Sequence, residues 1–146
     1  MTDLEVAKSN LEGHTLALCR DGELLTSDLR GIAPMLGYID EGRKLCGYSA
    51  ADRVVGRAAA MLFIKAGVAE LYAEVLSEGA RMLLEEHGVG ITYGESVQVI
   101  INRAGTGQCP MEEAVADITD IEIGITVLRE RLARMRAESE HGTRTL

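Results

Sequence analysis

The segment 102–112, NRAGTGQCPME, holds the residues of this chain that are best suited to chemistry. Arg103 carries a planar guanidinium that binds carboxylate or phosphate through paired hydrogen bonds, and Asn102 can both donate and accept. Thr106 lies between two glycines that free the backbone. Cys109 precedes a proline typical of a helix start, where exposed N–H groups favour an anion or a thiolate. The segment therefore predicts a loop that binds an anionic ligand through Asn102, Arg103 and Thr106.

Two other interpretations of the same segment stay open. Cys109 is a candidate catalytic nucleophile or oxidation-sensitive thiol, although the sequence shows no evident base to activate it. Alternatively the loop only turns the chain, and Glu112 complements the dipole of the helix that follows.

The segments DRVVGR and RGIAP supply the other candidates. Asp52 predicts an N-cap for a helix over residues 53–66, which would place Arg53 and Arg57 one turn apart on a shared face. We expect Arg57, with its apolar neighbours, to bind the ligand, and we keep Asp52 as a catalytic candidate. Gly31 would let a ligand approach the backbone at another helix start, although a plain turn explains it equally well.

No metal site is expected from the sequence. The histidines and cysteines are dispersed, and no pair has the short spacing of zinc ligands. We therefore predict neither a metal nor another cofactor. These residues are His14, His87 and His141, with Cys19, Cys46 and Cys109.

Hydrophobic periodicity and turn signals place the candidates on an alternating set of elements. The predicted order is α-β-β-α-β-α-β-α-β followed by a helical region, which indicates a three-layer α/β/α sandwich with a mixed five-stranded sheet. We predict one domain over residues 1–146 with a C-terminal helical extension from about residue 110. The predicted strands are 14–20, 23–27, 44–50, 69–76 and 89–93, and the main predicted helices are 2–12, 32–42, 53–66, 77–87 and 120–136.

Four segments give the chain a resemblance to a bacterial family, the domain of unknown function 1893, which has a cytidine-deaminase-like fold. The resemblance implies that fold, and it brings no established activity. The most specific segment is NRAGTGQCPME. The other three are RGIAP, DRVVGRAAA and AELYAEVLSE.

Deaminases of that fold hold zinc through a His-x-Glu motif and a Pro-Cys-x-x-Cys motif at two helix starts. The positions that correspond by topology are 31–34 and 51–57, and they contain neither His nor Cys. The first of them also contains no glutamate to move protons. The sequence thus argues against a zinc-dependent deaminase.

Composition limits the class of protein. The formal net charge of −8 argues against nucleic acid and anionic membrane surfaces as partners. The N-terminus shows no signal-peptide pattern and the cysteines are sparse, so we predict a cytoplasmic protein. The last predicted helix carries an apolar seam, which we expect to pack on its own domain or across a homodimer. Its residues are Ile121, Ile125, Leu128, Leu132 and Met135.

Three functions remain open on these grounds. The favoured one is the binding of a small anionic or nucleotide-like metabolite. The alternatives are a non-zinc enzyme or redox sensor that uses Cys109, and a dimeric structural or partner-binding module.

Overall fold

The computed structural model describes residues 1–102 and 104–144. These residues form five strands in one mixed sheet and six helices, which is an α/β fold as predicted. The strands are β1 (Leu16–Arg20), β2 (Glu23–Ser27), β3 (Ser49–Val55), β4 (Glu70–Ser77) and β5 (Gly90–Val97). The helices are α1 (Asp3–Ser9), α2 (Ala33–Asp40), α3 (Arg57–Ala66), α4 (Glu78–Glu86), α5 (Pro110–Val115) and α6 (Ile121–Arg144).

The sheet has the strand order β2-β1-β3-β4-β5. β1 pairs antiparallel with both β2 and β3, whereas β3, β4 and β5 are mutually parallel. The hairpin between β1 and β2 turns through Asp21 and Gly22, whose φ angles are 49° and 82°. Such left-handed angles at both central residues match the twist of the flanking strands. The hairpin prediction is confirmed.

The two faces of the sheet are covered by different helices, which gives three layers. Side chains of a strand alternate between faces. In β1, Leu16 and Leu18 therefore join the large core beneath α2, α3 and α4, while Ala17 and Cys19 pack against α1. α3 lies at the centre of the large core, and five of its ten residues are buried. The predicted sandwich and its buried central helix are confirmed.

The boundary between β3 and α3 differs from the prediction. We expected a strand over residues 44–50 and a helix that began at Arg53. β3 instead continues to Val55. Asp52 pairs on both sides, with Leu16 of β1 and Ala73 of β4, and Val54 and Val55 extend the parallel pairing with β4. The predicted N-cap role of Asp52 is therefore wrong.

The C-terminal helices pack on α3. Asp120 accepts a hydrogen bond from the Ile123 N–H at 2.9 Å, which confirms the predicted start of α6. Ile125 and Leu128 of the apolar seam are buried in the large core. The seam therefore packs on its own domain, and the homodimer stays a prediction.

Candidate functional site

Several helix starts meet near the carboxyl ends of β3 and β4. α3 begins directly after β3, and α4 directly after β4. The turn at Gly31 that leads into α2 and the start of α5 at Cys109 lie against the same edge, because Gly31, Gly56 and Cys109 line one cleft. Ligands of open α/β sheets bind in this position, where helix dipoles converge.

The largest cleft at this edge, about 310 Å³ in volume, contains Asp52. Its size lies within the range of small-molecule sites. It is lined by Thr15, Leu29, Arg30, Gly31, Pro34, Asp52, Arg53 and Val54, and we name it the Asp52 cleft.

Asp52 is the most perturbed acid of the site. Its side chain lies on the face of β3 that α2, α3 and α4 cover, in a cross-strand row with Leu16 and Ala73. Burial raises the pKa of Asp52 to about 7, although the N–H groups of Arg53 and Val54 and the Arg53 charge act to lower it. The Arg53 N–H donates to Asp52 Oδ1 at 2.8 Å. A carboxyl of this kind can exchange a proton at neutral pH.

The two arginines beside Asp52 differ in their contacts. Arg53 does not share a helix face with Arg57, because it lies in β3. Its guanidinium donates to the carbonyl oxygens of Leu11 and His14 and to Glu74, at 2.8 to 2.9 Å, so it ties the connection between α1 and β1 to the sheet. Arg30 is exposed at the rim of the cleft. Arg30 is therefore the cation best placed to meet a ligand there.

A smaller, mostly apolar cleft of about 130 Å³ adjoins the first. Gly31 and Val54 line both. Cys109 is half-buried in the smaller cleft, and its N–H donates to the Ile100 carbonyl at 2.9 Å. The structure thus brings Gly31 close to both predicted catalytic residues, Asp52 on one side and Cys109 on the other.

The start of α3 is occupied by the side chain of Glu112. Its two carboxylate oxygens accept from the N–H groups of Arg57 at 2.7 Å and Ala58 at 2.8 Å. Gly56, the N-cap, has no side chain to fill this role, and a Cβ atom there would collide with the Glu112 carboxylate. Glu112 is thus the cap of α3, supplied by α5, a role that the sequence pattern did not predict.

The side chain of Arg57 is directed at the end of α5. Its guanidinium donates to the Val115 carbonyl at 3.1 Å and to the Ile118 carbonyl at 2.6 Å. The Val115 carbonyl lies at the C-terminus of α5, which attracts a cation, and the Ile118 carbonyl belongs to the turn that follows. Arg57 and Glu112 therefore hold α3 and α5 together.

The loop before α5 is organised by its own side chains. Asn102 accepts from the Thr106 N–H at 3.0 Å and donates to Thr106 Oγ1 at 3.1 Å. The Asn102 N–H donates to the Gly107 carbonyl at 2.8 Å. Arg103, the remaining predicted ligand residue, lies outside the described residues.

Comparisons with known proteins identify the family. A family model described as a domain of unknown function, DUF1893, matches residues 7–132. The chain belongs to the DUF1893 family. This confirms the family inferred from the NRAGTGQCPME segment.

Solved structures agree with this assignment. The crystal structure of a DUF1893 family protein from Thermotoga maritima is 25% identical and has a TM-score of 0.82, over 90% of this chain and 91% of that one. A much weaker likeness, with a TM-score of 0.39 and 14% identity over 89% of this chain and 81% of that one, is to the NE0047 (N66A) mutant in complex with 8-azaguanine. The comparison with curated proteins gave no match. The deaminase-like character of the fold stays a prediction.

The described part of this DUF1893 protein shows neither a cluster of metal-binding side chains nor a membrane-spanning helix. No three His, Cys, Asp or Glu side chains among those residues are grouped so that they could hold a metal ion. Among the described helices, none combines the length and the apolar character needed to cross a membrane.

Proposed function

We propose that this DUF1893 protein binds a small anionic, nucleotide-like metabolite in the Asp52 cleft and its apolar extension at Cys109. The observation that carries the proposal is the carboxyl of Asp52, whose pKa is raised to about 7 inside a cleft of about 310 Å³. A carboxyl that loses water without full compensation costs stability once it ionises, and acids with pKa values perturbed in this way cluster at functional sites.

The two ends of the combined cleft suit different parts of such a ligand. Arg30 and the N–H groups at the start of α2, which has no side-chain cap, favour a phosphate or carboxylate. The smaller cleft, lined by Ile32, Ala59 and Ile100 among others, suits a flat apolar or heteroaromatic ring. Asp52 lines the larger cleft with Arg30, and there it would share a hydrogen bond or a proton with a ring nitrogen.

The other predicted residues take supporting roles in this proposal. Gly31 exposes backbone to both clefts, and Cys109 forms a wall of the smaller one. Arg57 positions α5, and the contacts between Asn102 and Thr106 shape the loop that leads to Cys109. We retain Arg103 as a predicted contact to the anion, and we also retain the homodimer and the cytoplasmic location as predictions.

A binding screen with matched variants tests the proposal. The probes are nucleoside monophosphates, the corresponding nucleosides and inorganic phosphate, at low ionic strength, with thermal shift and NMR as readouts. We expect Arg30→Gln to weaken the binding of the monophosphates at least tenfold and to leave the binding of the nucleosides unchanged. Asp52→Asn should remove the pH dependence of binding near pH 7. Arg134→Gln, an exposed arginine on α6, provides the matched control.

Two results would contradict this assignment. If both Arg30→Gln and Asp52→Asn bind every active probe as the wild type does, the site lies elsewhere. If Cys109→Ser is the only variant that removes the thermal shift or the NMR change caused by a probe, the alternative function that uses the Cys109 thiol replaces the proposed roles of Arg30 and Asp52.

A further inference from the structure

A second cleft lies at the opposite end of β3. It has a volume of about 370 Å³ and is formed by the end of β1, the connection from α2 to β3, and the end of α3. Every charged side chain that lines it in the described structure is cationic, although the chain carries a net charge of −8. These side chains are Arg20, Arg43, Lys44 and Lys65, and we name this the basic cleft.

Two of the cations are held in place by groups that do not neutralise them. Arg20 Nη1 donates to the Cys46 carbonyl at 2.7 Å. The guanidinium crosses the backbone of Gly47, where an added Cβ atom would lie 3.4 Å from Arg20 Cζ. The guanidinium of Arg43 lies 5.3 Å from the ring centre of Tyr38. Carbonyl and aromatic contacts orient a guanidinium and leave its positive charge available to a ligand.

Nearby acids offset this charge unevenly. Asp21 lies 3.7 Å from Arg20 Nε, and Glu41 lies 3.9 Å from Arg43 Nε. Both ion pairs are exposed and have long N–O distances, and the interaction free energy of such pairs is small. Lys65 is more fully paired, because its Nζ lies 2.5 Å from a carboxylate oxygen of Glu122. The available charge therefore comes from the end of β1 and from the α2–β3 connection.

We propose that the basic cleft binds a small molecule with two linked phosphate groups, independently of the Asp52 cleft. Arginines on two separate segments can engage one group each, and the planar guanidinium matches phosphate in two-point contact. The volume lies within the range of small-molecule sites. Because the cations are exposed, binding weakens as salt screens their charge.

Inorganic pyrophosphate is the probe, with orthophosphate and sulfate compared at equal ionic strength. Titration calorimetry and NMR should give saturable binding of one pyrophosphate, at least tenfold tighter than orthophosphate or sulfate. The perturbed amides should lie in residues 42–47 and at the end of α3. Perturbation around Gly31 and Asp52 instead would overturn the proposal and assign the diphosphate to the first cleft.

Matched charge variants separate a built site from general attraction. Arg43→Gln with Lys44→Gln removes two exposed cations of the cleft, and Arg134→Gln with Arg136→Gln removes two exposed cations of α6. The first pair of substitutions should weaken the binding of pyrophosphate at least tenfold, and the second pair should weaken it less than twofold. Equal weakening by both pairs, or none by either, would overturn the proposal.

Cys46 provides a second readout, because it is exposed and lines the basic cleft. In a Cys109→Ser background, saturating pyrophosphate should slow alkylation of Cys46 by neutral iodoacetamide at least fivefold. Lys44→Gln alone should reduce this protection, which keeps the test informative if the double variant is unstable. Unchanged alkylation rates in the presence of pyrophosphate would contradict occupancy of the cleft.

Discussion

Two carboxylates at the same edge of the sheet, Glu112 and Asp52, differ in how they are satisfied. Glu112 is buried, with 7% of its surface exposed, and accepts two backbone N–H groups at the start of α3. Asp52 lies in an apolar row on β3, and burial raises its pKa to about 7. The sequence suggested Asp52 as the cap of α3 as well as a catalytic candidate, and it gave Glu112 only a role at the dipole of its own helix.

This contrast separates a structural acid from a candidate functional one. A carboxylate at a helix start gains charge-assisted hydrogen bonds and a favourable dipole, so it stabilises the fold. A carboxyl that loses water without full compensation costs stability once it ionises. Glu112 therefore serves the fold, and Asp52 is the group that a ligand could use.

Removal of the Glu112 carboxylate should have the largest effect. We expect Glu112→Ala to lower the free energy of unfolding by about 3 to 5 kcal/mol, since two hydrogen bonds to a charged group are lost and two N–H groups of α3 are left without their acceptors. Urea denaturation at pH 7 measures the change. Glu112→Gln keeps one acceptor oxygen and should lose less.

Glu113→Ala is the matched control, because Glu113 is the next residue of α5 and is exposed. It should change the free energy of unfolding by less than about 0.5 kcal/mol, as is usual at the surface. Equal losses from Glu112→Ala and Glu113→Ala would show that the cap of α3 contributes nothing.

Replacement of Asp52 should raise the free energy of unfolding, which is opposite to the effect at Glu112, and the size of the gain should depend on pH. The pKa of Asp52 is about 7 in the folded protein, against an ordinary value of 3.8. Between these values the unfolded chain has released a proton that the folded chain retains, so the Asp52 contribution to stability falls as pH rises from about 4 to 7. Asp52→Asn should therefore stabilise the protein by about 2 to 4 kcal/mol at pH 8.

The advantage of Asp52→Asn should disappear near pH 4, where Asp52 is protonated in the folded state. Unfolding curves at pH 4 and pH 8 measure the difference, and exposed Asp117→Asn serves as control. A variant that is less stable than the wild type at pH 8 would show that Asp52 is a structural acid like Glu112.

Local signals were sufficient for much of the fold. The turn at Asp21 and Gly22 and the cap at Ser77, which accepts from the Ala80 N–H at 3.1 Å, each depend on residues within a few positions. Such patterns are visible in a sequence because the atoms involved are near neighbours along the chain.

The site depended on contacts that no local pattern contains. Val54 and Val55 suit either a strand or a buried helix by residue type. Their pairing with Val75 and Leu76 of β4 makes them part of the strand. Glu112 reaches the N–H of Arg57, 55 positions away. Gly56 was the signal in the sequence that could have indicated such a contact. A helix start without a capping side chain needs an acceptor from elsewhere in the chain.

Gly56 offers the smallest and most specific test of the contrast. Its φ of −101° is open to any residue, so a substitution there is limited by space and not by backbone strain. Gly56→Ala should destabilise the protein by about 1 to 3 kcal/mol, because the new methyl group meets the Glu112 carboxylate. Gly79→Ala, in the first turn of α4 with open space around it, is the control and should not destabilise.

A double-mutant cycle distinguishes this clash from other causes. In the Glu112→Ala background the carboxylate that opposes the methyl group is gone, so Gly56→Ala should cost less than about 0.5 kcal/mol. The resulting coupling of about 1 kcal/mol or more would locate the effect at the Glu112 contact. Additive losses would mean that Gly56 is required for another reason, and the assignment of Glu112 as the cap of α3 would then depend on Glu112→Ala alone.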